Sequence, residues 1–180
     1  MIFINAIEAR WKQKNSLLCV GLDSDLNRIP AHLRKKDTPL FTFNKAIIDS
    51  TADLVCAFKP QIAYYSASGS EGELEMTIEY IHENYPDIPV ILDAKRGDIG
   101  ATATMYAKEA FERYKADAVT VNPYMGFDTL EPFLEHREKG IIVLCRTSNP
   151  GAKDFQDLSM NGKRLYQIIA SMAVAQWNFN

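Results

Sequence analysis

The segment "ILDAKRGDIG" (residues 91–100) joins an apolar run to a group of charged residues with almost no turn between them. The run that leads into it, "IPVIL" (88–92), is typical of a buried strand. Asp93, Lys95 and Asp98 follow at once. Charged side chains are rarely buried unless they are paired, because isolated buried charge is costly. These three residues therefore either neutralise one another or bind a charged ligand.

The bulk composition is that of an ordinary globular chain, and we expect one domain over residues 1–180. Of the 180 residues, 47% are hydrophobic and 24% are charged, and the net charge is -3. This balance gives no reason to expect a nucleic-acid partner. No apolar run approaches the roughly 18 residues of a membrane span. The N terminus has no basic region of the kind that begins a signal peptide. We expect a cytoplasmic protein without a membrane partner.

Five short apolar runs predict strands. Their nearly continuous hydrophobicity, in place of strict alternation, is typical of parallel strands that are covered on both faces. The runs are "LLCVGL" (17–22), "LVCAFKPQIAYY" (54–65), "IPVILDAK" (88–95), "AVTVNPY" (118–124) and "GIIVLCRTS" (140–148).

Helical patterns lie between these runs, so strand and helix alternate along the chain. This order favours βαβ units and a parallel sheet, an α/β fold. In the fourth pattern, Gly140 stands where a helix C-cap would. The predicted helices cover residues 40–55, 70–85, 100–117, 127–140 and 161–180.

Charged residues gather at the carboxyl ends of the predicted strands, where parallel α/β proteins place their chemistry. Asp93 and Lys95 are two residues apart, so both point to the same face of a strand. Asp98 follows Gly97 and belongs to the next loop, so it must point elsewhere. A buried Asp–Lys network that only fixes the geometry of the sheet remains an alternative, although clusters of ionisable groups favour a functional site. The strand-end residues are Asp23, Lys59, Asp93, Lys95 and Arg146, followed by Ser148.

These residues resemble a known family. "DAKRGDIGAT" (93–102) fits the Asp-x-Lys-x-x-Asp-Ile-x-x-Thr signature of the orotidine 5'-phosphate decarboxylases. "CVGLDSD", "FKPQIAYY", "TVNPYMG" and "CRTSNPGA" resemble the bacterial branch of that family, in the expected order. The resemblance extends from about Leu18 to about Ala152. Related sugar-phosphate decarboxylases and synthases share the Asp-x-Lys-x-x-Asp part of the signature. The assignment therefore rests on this part in combination with the other four segments.

The resemblance implies a (β/α)8 TIM barrel, of which this sequence would supply about five βα units. A complete barrel of this kind needs about 250 residues. The family's phosphate-binding glutamine and arginine follow strands seven and eight, and nothing in this sequence matches them. We therefore expect an N-terminal portion of such a barrel, with two open sheet edges. Purified alone, it is expected to be aggregated or partly folded and to lack activity.

The resemblance also implies the reaction and the catalytic residues. The family converts orotidine 5'-phosphate to UMP and carbon dioxide, the last step of de novo pyrimidine synthesis, with no metal and no organic cofactor. Lys95 matches the ammonium that protonates C6 of the pyrimidine. Asp93 matches the carboxylate that opposes the substrate's own carboxylate, and Lys59 matches its bridging partner, which reaches a ribose hydroxyl. Asp98 matches the last charged member of the signature.

Three further residues match substrate-binding positions of the family. Asp23 matches the aspartate that binds the ribose, and Ser148 matches the serine that contacts the pyrimidine ring. Thr102 matches a residue that, together with Asp98, crosses a dimer interface into the neighbouring site. The resemblance therefore implies a homodimer.

Two other functions remain open. A related sugar-phosphate decarboxylase or synthase would use magnesium and a glutamate near the second strand, but "AFKPQIAYY" (57–65) offers Lys59 and no acid. A degenerate or truncated homologue would only associate with other chains.

Overall fold

A computed structural model describes residues 2–178. Within this range, parallel strands alternate with helices, as the sequence predicts. The five strands of the barrel wall are β1 (Cys19–Leu22), β2 (Ala57–Pro60), β3 (Ile91–Arg96), β4 (Ala118–Val121) and β5 (Gly140–Val143). The helices are α1 (Phe3–Lys14), α2 (Pro39–Thr51), α3 (Ile62–Ser66), α4 (Glu71–Asn84), α5 (Gly100–Lys108), α6 (Glu131–Leu134), α7 (Ala152–Phe155) and α8 (Leu165–Ala175).

The five strands lie side by side in chain order. β1 pairs with β2, β3 with β4 and β4 with β5, and every pair is parallel. Two parallel bridges, Phe58 to Val90 and Gln61 to Asp93, link β2 to β3. The carboxyl ends of all five strands therefore meet at one edge, which is the architecture of a partial TIM barrel.

Two apolar clusters hold the strands in place. The larger cluster lies between the strands and the outer helices, and its fully buried members include Phe58, Leu92, Ile48 and Ile78. A smaller cluster fills the amino-terminal end of the barrel. There α1, which the sequence analysis did not predict, places Phe3 and Ile7 against the small set Cys56, Ala57, Ile91 and Ala118.

The second predicted strand was too long. It was expected to continue to Tyr65, but β2 ends at Pro60 and the next residues form α3. Gln61 caps this short helix, because its side chain accepts a hydrogen bond from Ala63 N–H at 3.3 Å. The buried Tyr65 hydroxyl donates to the Leu22 carbonyl at 2.9 Å, which ties α3 to the end of β1.

The fourth predicted helix was also wrong at its end. Only a 3-10 turn (Phe127–Thr129) and the four-residue α6 form, and Gly140 begins β5 instead of capping a helix. A Cβ atom at position 140 would lie 2.6 Å from Phe3 Cε1 and 2.7 Å from Ala118 Cβ. Glycine is thus required here because the Phe3 ring packs directly on the strand.

The third and fifth predicted helices are shorter than expected. α5 continues into a π-helical turn (Glu109–Arg113) and then stops. α8 is preceded by a small hairpin of β6 (Ser159–Met160) and β7 (Lys163–Arg164). Asn161 and Gly162 form its turn with φ of 52° and 78°, as an Asn-Gly type I′ turn requires. The last predicted helical residues, Phe179 and Asn180, lie outside the described residues.

We expect Gly140→Ala to destabilise the fold by about 1–3 kcal/mol, because a methyl group overpacks the contact with Phe3. A urea denaturation midpoint at unchanged m-value, measured on the protein as its gene encodes it, gives the effect. Gly72→Ala is the matched control, since a Cβ atom at this α4 position meets nothing within 4 Å. The control should be neutral or slightly stabilising, by up to about 1 kcal/mol. Equal shifts for the two variants would contradict the packing argument.

Candidate active site

The carboxyl edge of the strands carries most of the residues that the sequence singles out. Asp23 follows β1 directly, Lys59 lies in β2, and Asp93 and Lys95 lie in β3. Ser148 is in the loop after β5, and Asp98 lies between β3 and α5. The structure brings three of these residues into direct contact.

Lys59, Asp93 and Lys95 form a continuous ion-paired chain. Lys95 Nζ donates to Asp93 Oδ1 at 2.7 Å, and Lys59 Nζ donates to Asp93 Oδ2 at 3.2 Å. The Asp93 side chain is 10% exposed, whereas the side chains of Lys59 and Lys95 are 33% and 45% exposed. A buried carboxylate therefore holds two ammonium groups at the open edge of the barrel, where a bound anion could reach them.

The backbone of β3 is irregular at the site. Leu92 pairs with Val119 and Arg96 with Val121, so the segment 93–95 lies opposite the single residue Thr120. Lys95 has φ of 49°, in the left-handed region. This conformation costs a non-glycine residue about 1–2 kcal/mol. Such bulges redirect side chains next to active sites, and here the bulge lets Lys95 fold back onto Asp93.

Thr120 also bonds to the ion-paired chain of Lys59, Asp93 and Lys95, and it was not among the residues predicted from the sequence. Its hydroxyl donates to Asp93 Oδ1 at 2.8 Å and accepts from the backbone N–H groups of Ala94 and Lys95 at 3.0 and 2.9 Å. It is 7% exposed. The only sequence signal was a hydroxyl residue in an otherwise apolar strand, "AVTV".

The pKa of Asp93 is set by opposing effects. Burial by itself raises the pKa of this carboxyl group, but hydrogen bonds from Lys95, Thr120 and Lys59 outweigh burial and lower the pKa below its usual value. A carboxylate with a lowered folded-state pKa stabilises the fold above pH ~4. That contribution is lost as the pH falls through the folded-state pKa.

Asp23 is positioned by a buried polar network on both sides. Its predecessor, Leu22, accepts the Tyr65 hydroxyl, and its successor, Ser24, donates to Asn44 Oδ1. Asn44 Nδ2 in turn donates to the Tyr65 hydroxyl at 2.9 Å and to Thr77 Oγ1 at 3.0 Å. The Asp23 side chain is exposed, while the backbone that carries it is fixed from α2, α3 and α4.

Asp98 and Thr102 are not part of the ion-paired chain. The Asp98 carboxylate accepts a hydrogen bond from Ile99 N–H at 2.8 Å. Within residues 2–178 it is not ion-paired with Lys59 or Lys95. Thr102 is exposed in the first turn of α5. Asp98 is half-buried, and the residues from 99 to 102 that follow it are exposed.

The segment that carries Asp98 is nevertheless held firmly at its start. Arg96 donates to both carboxylate oxygens of Glu109, from Nε at 3.0 Å and from Nη2 at 3.1 Å. The Arg96 guanidinium also stacks on the Tyr106 ring at 4.5 Å. A Cβ atom at Gly97 would lie 3.0 Å from the Asn122 carbonyl oxygen, so the chain passes close to the end of β4 there.

The remaining strand-end residues, Arg146 and Ser148, lie in the loop after β5. Arg146 pairs with Asp157, which follows α7, Nε to Oδ1 at 2.9 Å, and does not join the lysines. Ser148 is exposed. Its neighbour Thr147 is held by Gln156, whose Oε1 accepts from Thr147 N–H at 2.7 Å.

Comparison with known proteins identifies the family. Residues 16–179 match the model of the "Orotidine 5'-phosphate decarboxylase / HUMPS family". The chain belongs to this family. It is 59% identical over 178 residues to an orotidine 5'-phosphate decarboxylase of Dechloromonas aromatica and 61% identical over 178 residues to one of Ralstonia nicotianae. Each alignment covers 99% of this chain and 66% of the relative, so the chain spans slightly less than two thirds of these relatives.

Solved structures give the same result for the fold. The structure of Leishmania donovani OMP decarboxylase is similar at a TM-score of 0.87 and 39% identity, covering 99% of this chain and 67% of that one. An orotidine-monophosphate decarboxylase structure from Toxoplasma gondii, described as putative, is similar at a TM-score of 0.85 and 38% identity, covering 97% and 62%. The predicted TIM-barrel fold is thereby confirmed.

Residues 2–178 contain neither a metal-binding cluster nor a helix that could cross a membrane. No three His, Cys, Asp or Glu side chains come together there as a metal-binding group. No helix in this range has the length and apolar character to cross a membrane.

Proposed function

We propose that this chain supplies catalytic residues for the decarboxylation of orotidine 5'-phosphate to UMP and carbon dioxide, without a metal or organic cofactor. The ion-paired chain Lys59–Asp93–Lys95 at the carboxyl edge of the strands is the observation that carries the proposal. Family membership supports it, since the two bacterial relatives bear the name of this enzyme.

Lys95 is the proposed proton donor. Decarboxylation leaves a carbanion at a carbon with no adjacent carbonyl group to delocalise the charge, so a fixed cation is the available stabiliser. The Lys95 ammonium is held 2.7 Å from Asp93 and is 45% exposed, so it is oriented and still open to a ligand. It can then give its proton to the carbon that lost carbon dioxide.

Asp93 is proposed to repel the carboxylate of the bound substrate electrostatically. Two carboxylates about 4 Å apart repel each other by roughly 4 kcal/mol at an effective dielectric constant of 20. Departure of carbon dioxide relieves this repulsion, which therefore lowers the barrier. At 1.36 kcal/mol per decade, it corresponds to about a thousandfold in rate. The neighbours of Asp93 support this role, because Lys59, Lys95 and Thr120 all donate to it and keep it ionised.

The other residues are proposed to bind the substrate. Asp23 and Lys59 bind ribose hydroxyl groups, and Ser148 contacts the pyrimidine. Asp98 and Thr102 reach the site of a second subunit in a cytoplasmic homodimer. The exposure of residues 99–102, and the Asp98 carboxylate bonded only to the neighbouring Ile99 N–H in the described residues, support this arrangement.

The experiment that tests the function is an assay of orotidine 5'-phosphate turnover, with and without a chelator. The protein assayed is the one that its gene encodes, up to the natural stop codon. We expect UMP and carbon dioxide to form at the same rate in both conditions, because the chemistry rests on lysine and aspartate. Turnover of a sugar phosphate that the chelator abolishes would instead support the magnesium-dependent relatives. A folded protein that turns over neither substrate would support the non-enzymatic alternative.

A further inference from the structure

The Thr120 hydroxyl uses its full hydrogen-bonding capacity. A hydroxyl group has one donor and two acceptor sites. Thr120 Oγ1 contacts Asp93 Oδ1, Ala94 N and Lys95 N at 2.8, 3.0 and 2.9 Å. All three contacts are to the bulge of β3, while Thr120 itself lies on β4. One side-chain oxygen thus ties the irregular segment to the regular strand beside it.

The direction of the hydroxyl hydrogen follows from its partners. The N–H groups of Ala94 and Lys95 can only donate, so both acceptor sites of the hydroxyl are taken and its hydrogen must point to Asp93. The charged groups that face the same carboxyl group, Lys59 and Lys95, are donors too. The arrangement therefore suits an ionised Asp93 and leaves no acceptor among these partners for a proton on it.

We propose that Thr120 is a positioning residue that fixes both the Asp93 carboxylate and the left-handed backbone at Lys95. It is 7% exposed and covered by the residues it holds, so it acts through them instead of contacting a substrate. For its effect on catalysis, this inference rests on the proposed function. The positioning itself does not depend on that function.

The kinetic test compares Thr120→Val with Thr120→Ser in the protein as its gene encodes it. Valine keeps the shape of threonine without the hydroxyl, and serine keeps the hydroxyl. Because small misplacements of reacting groups cost up to about a hundredfold in rate, we expect Thr120→Val to lower kcat by about tenfold to a hundredfold. KM should change less, and serine should restore kcat. Thr129→Val, which removes a fully buried hydroxyl bonded to the Gly126 carbonyl, is the matched control and should keep kcat.

A second measurement does not require activity. In Thr120→Val the amide hydrogens of Ala94 and Lys95 lose their acceptor, so their exchange should become at least about tenfold faster. The titration of the Asp93 carboxyl carbon, followed by NMR, should move to higher pH because a donor to the charged form is lost. Serine should restore both readouts, and Thr129→Val should leave both unchanged. If Thr120→Val fails to fold, Thr120→Cys, whose thiol bonds weakly, replaces it in every comparison.

Unchanged exchange and titration in a folded Thr120→Val protein would overturn the positioning role, whatever the activity. Faster exchange without restoration by serine would also overturn it, because loss of shape would then be the cause. If the unsubstituted protein turns over no orotidine 5'-phosphate, the proposed function fails, and the exchange and titration results still decide the role of Thr120.

Discussion

Lys95→Ala is expected to lower kcat by about a thousandfold or more, since removal of even one fixed stabiliser of developing charge typically costs two to three decades. The other ammonium in the ion-paired chain cannot replace it. Lys59 Nζ is paired with Asp93 Oδ2, whereas Lys95 Nζ is paired with Asp93 Oδ1, so the two cations contact different oxygens of the carboxylate. Steady-state kcat and KM on orotidine 5'-phosphate measure the loss.

The control for this substitution is Lys12→Ala. Lys12 forms an exposed ion pair with Glu8 on α1, and exposed pairs contribute at most about 1 kcal/mol. This variant should keep the activity and the fold. Asp93 retains Thr120 and Lys59 as donors when Lys95 is removed, so Lys95→Ala should also fold, as circular dichroism can show. Retention of more than about a tenth of the activity, a loss below about 1.4 kcal/mol, would remove Lys95 from its proposed role.

The strand positions could be predicted from sequence because parallel strands are buried on both faces. The runs around Leu92 and Val119 are nearly all apolar, and both residues are fully buried in the structure. The strand ends could not be predicted in the same way. The mostly apolar run that continues to Tyr65 would suit a strand or a helix, and in the structure its last residues form α3, which the Tyr65 hydroxyl ties to Leu22, 43 residues away.

Other misses had different physical causes. Glycine is common at helix C-caps, so Gly140 was expected to end a helix. In the structure, the reason for glycine at this position is the ring of Phe3, near the N terminus, which leaves no room for a Cβ atom. The hairpin before α8 carried a local signal, the dipeptide Asn161-Gly162, which is typical of a type I′ turn. This dipeptide alone predicts the hairpin turn that the structure shows.

Some residues of the candidate site could be predicted from the sequence, and others could not. Charged residues at the carboxyl ends of parallel strands lie at one edge of the sheet, so the fold class predicts that Lys59 and Asp93 lie on the same edge. Their direct pairing was expected from the family resemblance. Thr120 could not be found this way, because threonine is common in strands for its shape. Its function depends on the bulge at 93–95, which is visible only in the pairing of β3 with β4. The loop position of Asp98 was predicted, and the structure places it there.

The second large effect concerns Asp98, which we expect to act in the site of the other subunit. Its carboxylate is held by Ile99 N–H and is not bonded to the Lys95 of its own chain in the described part of the structure. Ile99 and Met105, on the same segment, are both exposed and apolar, as is common for residues covered by a partner. Lys95→Ala and Asp98→Ala should each be inactive alone.

Mixing the two variants should then restore activity. In a mixed dimer, one site combines both substitutions and is inactive, while the other combines the intact Lys95 of one subunit with the intact Asp98 of its partner. Random exchange of equal amounts makes about half of the dimers mixed, so about a quarter of all sites recover. The measurement is the specific activity after unfolding and refolding the two variants together, with differently tagged subunits to count mixed dimers.

The control is a mixture in which one subunit carries both Lys95→Ala and Asp98→Ala and the other carries Asp98→Ala alone. Every site in this mixture lacks at least one of the two groups, so the mixture should stay inactive at the same fraction of mixed dimers. Recovery there would show that Asp98 is dispensable. No recovery in the first mixture, once mixed dimers are demonstrated, would mean that each site is built from one chain. The loop after β3 would then have to turn Asp98 inward when the substrate binds, because its present position leaves the ion-paired chain without it.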